Sequence, residues 1–337
     1  MYNYLKDICY LPGVSGCESH VASYIIEQIR LHVDGLKRDS LGNVIAFKKG
    51  KKTPDGPIMV ASHMDEVGMI VTSVDDAGRI FFDTVGGIDE RILPGLRVFV
   101  NDLPGQISLK PVHMCDKNEK SAKIETDKLF IDVGAANRDE LMGSVSLGDR
   151  ISFQPFYEEF GDNLIIAKAL DDRAGCAIMI DLIHQPLEYD TYFVFTVMEE
   201  VGLRGARAAA FGIAPKKAIV LETTTAVDID GVDEKDVVCR LNEGPVISYI
   251  DKRTIYDREY CCKAFQCARQ LGIKCQTKTK ICGGNDAGAI HVSTGGVRTI
   301  AISVPCRYLH TPLCVASKED IAASARLCRE CISFMGE

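Results

Sequence analysis

The sequence predicts an α/β fold: a mostly parallel sheet with helices on both faces, carrying an inserted, small all-β, barrel-like domain. Strands alternate with helices at both ends of the chain, the pattern of a parallel sheet covered on its two faces. Between those ends, short β-rich runs follow one another without a long helix. A chain of 337 residues has room for both units. The expected boundaries are a discontinuous α/β domain over 1–66 and 158–337 and an inserted β domain over 67–157.

The elements follow in order. "SGCESHVASYIIEQIRLHV" predicts a helix with Ser15 and Glu18 as a capping box and Val21, Tyr24, Ile25 and Ile29 on one face. "PIMVASHMDEVG" reads as a buried strand that is polar only at its carboxyl end. "RIFFDTV", "LRVFVND", "GQISLKPV", "KLFIDVG" and "DRISFQPF" are strands of the insertion, separated by Gly, Asp, Asn and Pro. "ANRDELMGSV" is the one helical candidate among them. The α/β rhythm then resumes with a helix in "DDRAGCAIMIDLIHQ", a strand in "TYFVFTVME", a helix in "LRGARAAAFG" and a strand in "KKAIVLET". A helix closed by Gly272, a strand in "VRTIAISVP" and a last helix with Ser317 and Asp320 as a capping box complete the chain.

Composition is that of an ordinary globular protein, with 46% hydrophobic and 26% charged residues. A net charge of −8 disfavours nucleic acid and anionic membranes as partners. The one dense basic run, "KKGKK" at Lys48 to Lys52, reads as a solvated turn. "MYNYLKDICYLPG" lacks a basic segment leading into an apolar one, and no apolar run approaches the ~20 residues that span a bilayer. A cytoplasmic address is expected. The fourteen cysteines are then reduced thiols acting as small core residues. Cys328 and Cys331 form a C-x-x-C in the middle of a helix, not at the strand-to-helix turn of a redox motif.

In open α/β sheets, ligands bind beyond the carboxyl ends of the strands. At those ends stand His63 and Asp65, the pair Glu199 and Glu200, Glu222 and His310, with Asp171 and Asp172 opening a helix. Any one of these is more often a surface pair or a helix cap. Several acids closing apolar strands need a positive partner, however. Two imidazoles with several carboxylates suit Zn2+, Co2+ or Mn2+ better than Ca2+ or a soft metal.

"ASHMDEVG", "ALDDRAG", "MEEVGLRGA", "LNEGP", "GGNDA" and "RYLHTP" together resemble the successive signatures of the M42 metallo-aminopeptidases, the glutamyl-aminopeptidase and tetrahedral-aminopeptidase group, in order and spacing over essentially the whole chain. The resemblance implies the metallo-exopeptidase fold and two divalent ions per subunit. By position it assigns His63, Asp171, Glu200, Glu222 and His310 as metal ligands, with Asp171 bridging the two ions. It assigns Asp65 as the carboxylate that orients His63, and Glu199 as the general base acting on a water shared by the ions. Glu222 departs from the pattern, where Asp is usual; Asn285 stands where Thr is usual and Asn242 where Gly is usual.

The implied reaction is hydrolysis of the first peptide bond of a peptide. A deacylase or another exopeptidase on the same scaffold is the alternative, and a non-catalytic metal- or peptide-binding protein a more distant one. Arg91, Arg173, Arg204, Arg307 and the lysines are candidates for reading an acidic substrate side chain. The resemblance makes the β insertion a dimerisation domain, and the expected partner is a further copy of this chain, as a dimer or a tetrahedral dodecamer.

Overall fold

A computed structural model describes residues 1–337, except for the side chains of residues 119 and 120. Helices α1 (Tyr2–Tyr10) and α2 (Ser19–Ile29) precede strands β1 (Gly35–Arg38), β2 (Val44–Lys48) and β3 (Ile58–His63). Next come β4 (Gly68–Val74), β5 (Ile80–Val85), β6 (Arg97–Val100), β7 (Leu103–Ser108), a short helix α3 (Lys117–Ser121), β8 (Phe130–Asp132) and β9 (Arg150–Phe153). The chain continues through β10 (Tyr157–Phe160), β11 (Leu164–Ala167), α4 (Leu170–Ile183), β12 (Thr191–Thr196), α5 (Arg204–Ile213) and β13 (Lys217–Thr225). It ends with β14 (Val246–Ile247), α6 (Arg258–Gln270), β15 (Gln276–Thr277), α7 (Ala287–Ile290), β16 (Arg298–Arg307), β17 (Cys314–Ser317) and α8 (Lys318–Gly336).

The large sheet has the order β1-β2-β12-β3-β13-β16-β17-β11-β10. Its centre, β12-β3-β13-β16, is parallel, and its flanks are antiparallel. All six residues of β3 are buried, as the apolar run "IMVAS" demands of a strand covered on both faces. The buried helix α4 packs on β3 and β13 and against α1 and α8. Because the central strands run the same way, His63, Thr196 and Glu222 all emerge near one edge, with Thr196 paired to His63 and Glu222 to Ser303.

Strands β4-β5-β8-β7-β6-β9 close a barrel around a core of its own that includes Met69, Phe82, Val98, Ile131 and Phe153. Closure leaves no sheet edge exposed. Among the described residues, no helix is long and apolar enough to cross a membrane.

Three local expectations are corrected. Helix α2 begins at Ser19 without a side-chain cap, because Ser15 Oγ donates instead to Asp65 Oδ2 at 2.6 Å. Glu18 is likewise drawn away, accepting from Gly16 N at 2.7 Å and Met198 N at 3.1 Å. At α8 no capping box forms: Ser317 Oγ is buried without a partner, and Asp320 instead accepts from Asn242 N and Gly244 N at 2.7 and 2.8 Å. "ANRDELMGSV" forms only a single 3-10 turn, Arg138–Leu141, whose Asn137 side chain caps two amides. At the two helices, groups distant in sequence engage Ser15, Glu18 and Asp320 in place of the local motif.

Candidate metal centre

His63 ends β3, and its imidazole is 1% exposed. Glu222 lies within β13, two strands away in the sheet order from β12. Asp171 and Asp172 begin α4 with non-helical backbone, joined by a cis peptide bond. The two carboxylates diverge: Asp171 faces the imidazoles, whereas Asp172 accepts from Ser62 Oγ at 2.5 Å and Gly175 N at 3.1 Å. His310 lies in the loop between β16 and β17 at φ +58. Its Nδ1 donates to Gly87 O on the barrel at 2.8 Å. A Cβ on Gly87 would lie 3.2 Å from that nitrogen, so the barrel approaches the ring as closely as glycine permits.

Glu199 and Glu200 occupy a turn just past β12, where Met198, Gly202 and Leu203 all have positive φ. Asp65 holds this turn from beneath. Its Oδ1 accepts from Glu199 N at 3.0 Å and its Oδ2 from Glu200 N at 3.1 Å. The expected link to His63 has a different form. The backbone carbonyl of Asp65 lies 3.1 Å from His63 Nδ1, while its carboxylate is at 3.5 Å, an ion-pair distance.

Asp171 presents one oxygen to each imidazole. Its Oδ1 is 3.4 Å from His63 Nε2, and its Oδ2 is 3.5 Å from His310 Nε2. Glu222 Oε2 lies 3.8 Å from His63 Nε2, and Glu200 Oε2 lies 3.3 Å from His310 Nε2. Two donor triads result, His63–Asp171–Glu222 and Asp171–Glu200–His310, with the donor atoms of each within 4.8 Å of one another. A third group joins His63, Glu199 and Glu200. The longer Glu222, where the family pattern has Asp, thus reaches the same cluster.

These donors fit divalent cations. Bonds of about 2.1 Å in a tetrahedral site place neighbouring donors about 3.4 Å apart, close to the spacings here. Glu222 Oε1 is buried with no hydrogen-bond partner, which is costly for a carboxylate unless a cation satisfies it. The electrostatics agree. Burial pushes Glu199 and Glu222 well above the carboxylate range, and burial with Asp171 nearby pushes Glu200 to about 7. Asp171 raises His310 to about 10. Burial would depress His63, but Glu222, Asp171 and Asp65 hold it well above its ordinary value. Positive charge at the cluster relieves this crowding of acids.

Sequence reasoning missed Asp286, which is fully buried and bonded to Thr196 Oγ1 at 2.5 Å. Burial raises its pKa to about 6, and its charge bears on Glu199. An acid inside the small-residue stretch "GGNDA" was the available signal. Of the four arginines expected to read substrate, Arg173 is buried beside Glu66 and donates to Ile8 O, Arg307 pairs with Asp228, and Arg91 folds onto Asp89. The cleft, about 610 Å³, is lined by Lys278, one of the expected lysines, and by Arg253, which was not among the candidates; Arg204 does not line it.

Residues 42–327 match the family model described as M42 glutamyl aminopeptidase. A protein of Acetivibrio thermocellus is 39% identical over 335 residues, 98% of both chains. The TET aminopeptidase of a marine-sediment archaeon, Thaumarchaeota archaeon SCGC AB-539-E09, superposes with a TM-score of 0.94 at 30% identity, covering 99% of this chain and 98% of that one. The TET1 peptidase of Pyrococcus horikoshii, which can assemble into a tetrahedron or a large octahedral shell, gives 0.85 at 31% identity, covering 97% and 98%. With its fold, its cleft and its relatives in agreement over nearly the full length, the chain belongs to the M42 family of aminopeptidases and is a peptide hydrolase.

Proposed function

We propose that this chain is a dinuclear metal-dependent aminopeptidase that releases the N-terminal residue of peptides. The observation that carries the reading is Asp171, whose two oxygens face two different imidazoles, as a bridging carboxylate requires. His63 and Glu222 would complete one ion's set, and Glu200 and His310 the other's. Zn2+ or Co2+ fits this donor set, as does Mn2+. Divalent ions bound there would supply Lewis-acid polarisation and a water of lowered pKa.

The chain's own residues would handle the proton. Glu199, on the turn held by Asp65, takes a proton at its carboxylate from the attacking water and returns it to the leaving amine. Asp65 keeps the base and its neighbouring ligand in fixed register by accepting both backbone amides.

The barrel is proposed as the dimer contact, in a homo-oligomer that extends to a tetrahedral dodecamer. Exposed Val112, Met114, Met142 and Leu147 on the barrel and the assembly of the Pyrococcus horikoshii relative support this. The cytoplasm is the proposed compartment.

Glu199→Gln tests the mechanism. The variant should bind two ions per chain by elemental analysis and lose nearly all turnover of aminoacyl anilides. Near-native turnover removes Glu199 from the reaction. Acetylating the peptide's N-terminus should abolish cleavage; a requirement for the blocked terminus would favour the deacylase reading.

A further inference from the structure

Helix α2 leaves the cap spacing of Ser15 and Glu18 unused, and both side chains reach toward the turn that carries Glu199. Past β12, each amide from Val197 to Glu200 donates to a side chain from the amino-terminal part of the chain. Val197 N donates to Asn43 Oδ1 at 3.0 Å and Met198 N to Glu18 Oε1 at 3.1 Å. Glu199 N and Glu200 N donate to the two oxygens of Asp65. Regular structure ordinarily supplies such partners; here side chains fix the turn amide by amide. Asn43 is also tied down through its Nδ2, which donates to Asp39 Oδ2 at 2.6 Å and Gly205 O at 3.0 Å.

Glu18 has the most demanding share. Met198 sits at φ +54, in the left-handed region that residues other than glycine enter at a cost. The turn keeps this shape only while its surroundings hold it. Glu18 is buried, and its Oε1 also accepts from Gly16 N at 2.7 Å, which ties the Met198 amide to the loop ahead of α2. That loop is anchored in turn. Ser15 Oγ donates to Asp65 Oδ2 at 2.6 Å, Ser15 N to Glu66 O at 3.2 Å, and Arg150 Nε of the barrel to Ser15 O at 3.0 Å. Glu199 follows Met198 directly, so a rotation of the backbone at 198 swings the Glu199 carboxylate out of line.

We infer that Glu18 is a positioning residue for the reaction: it holds Met198 in its left-handed conformation and so aims Glu199 at the water it deprotonates. This deepens the aminopeptidase reading and rests on its assignment of Glu199 as the base. What the turn needs from Glu18 is an acceptor oxygen and not a charge, because both groups it binds are neutral amides.

Two substitutions of similar size separate the acceptor from the bulk: Glu18→Gln keeps the oxygen and Glu18→Met removes it. On an aminoacyl anilide, Glu18→Met should lower kcat by about ten- to hundredfold, the cost of misplacing a reacting group by on the order of 1 Å. KM and metal content should stay close to native, and Glu18→Gln should keep native kcat. Amides 197–200 should exchange faster with deuterium in Glu18→Met alone, with those of β3 as the control. Native kcat in Glu18→Met, an equal fall in Glu18→Gln, or a change confined to KM overturns the assignment. Should Glu18→Met not fold, Glu18→Asp, which is one methylene shorter, replaces it with the same expected fall. If Glu199→Gln itself turns over at the native rate, the reading of Glu199 as base is what fails. Exchange then decides the role of Glu18: faster exchange at 197–200 in Glu18→Met than in Glu18→Gln supports a turn held by its oxygen, and equal protection refutes it.

Discussion

Replacing Asp65 with Asn preserves the size of the side chain and removes one acceptor. In the native turn each carboxylate oxygen takes a different backbone amide, Glu199 N on Oδ1 and Glu200 N on Oδ2, and Ser15 Oγ also binds Oδ2. An asparagine offers one oxygen and one NH2. Whichever way the amide is rotated, one backbone N–H meets another donor. Asp65 is fully buried, so water cannot replace the lost bond. A buried unsatisfied donor costs about 1–3 kcal/mol, or roughly a five- to hundredfold loss of amide protection at a tenfold per 1.4 kcal/mol. Hydrogen–deuterium exchange of metal-loaded protein, read by mass spectrometry on a peptide spanning residues 197–206, measures this directly. Amides of β3 serve as the internal control. The peptide should exchange faster in Asp65→Asn while β3 stays native, and kcat should fall with it because Glu199 loses its register. Native protection in that peptide, with native kcat, would refute the view that Asp65 acts by holding the glutamate turn.

The remaining predictions concern charge and capping. Lys168→Met should destabilise the protein by about 3–5 kcal/mol, read from urea unfolding, because Lys168 Nζ holds both Glu66 oxygens at 2.6 Å in the interior; adding Glu66→Gln should recover much of the loss. Ser317→Ala should cost far less than the ~1 kcal/mol of a working helix cap, since its hydroxyl has no partner. Asp320→Ala should cost about 1–3 kcal/mol by stranding the amides of Asn242 and Gly244. Metal uptake should release protons. His310 is raised to about 10, His63 also lies above its ordinary value, and Glu200 is near 7. At neutral pH the metal-free imidazoles are therefore protonated, and each lone pair must be freed, so affinity falls as pH falls from about 8 to 6. Calorimetry in buffers of different ionisation enthalpy checks the sign, and chelation should lower the melting temperature until Zn2+, Co2+ or Mn2+ is returned.

How much was legible in the chain can be judged from particular residues. The alternation of strand and helix is a property of local hydrophobic period, so β3, α4, β12, β13 and β16 fall where the apolar runs place them. Polar residues that interrupt such runs at strand ends mark the cleft, and His63, Glu222 and the 199–200 pair were found that way. The order of its motifs makes the M42 family recognisable in the sequence.

Tertiary structure alone decided the rest. Ser15, Glu18 and Asp320 carry the spacing of helix caps, yet each bonds to backbone or side chains far along the chain. Asp65 stands two residues from His63 in sequence, but its carboxylate serves amides 134 and 135 residues away. Arg253 carries no motif; Gly284 and Gly288 clear room for its side chain only once the two loops meet in the fold. Hydrophobic period is written in neighbouring residues and survives as a one-dimensional pattern. Hydrogen-bond partners are chosen among all groups that packing brings together, and the chain does not state that choice until it is folded.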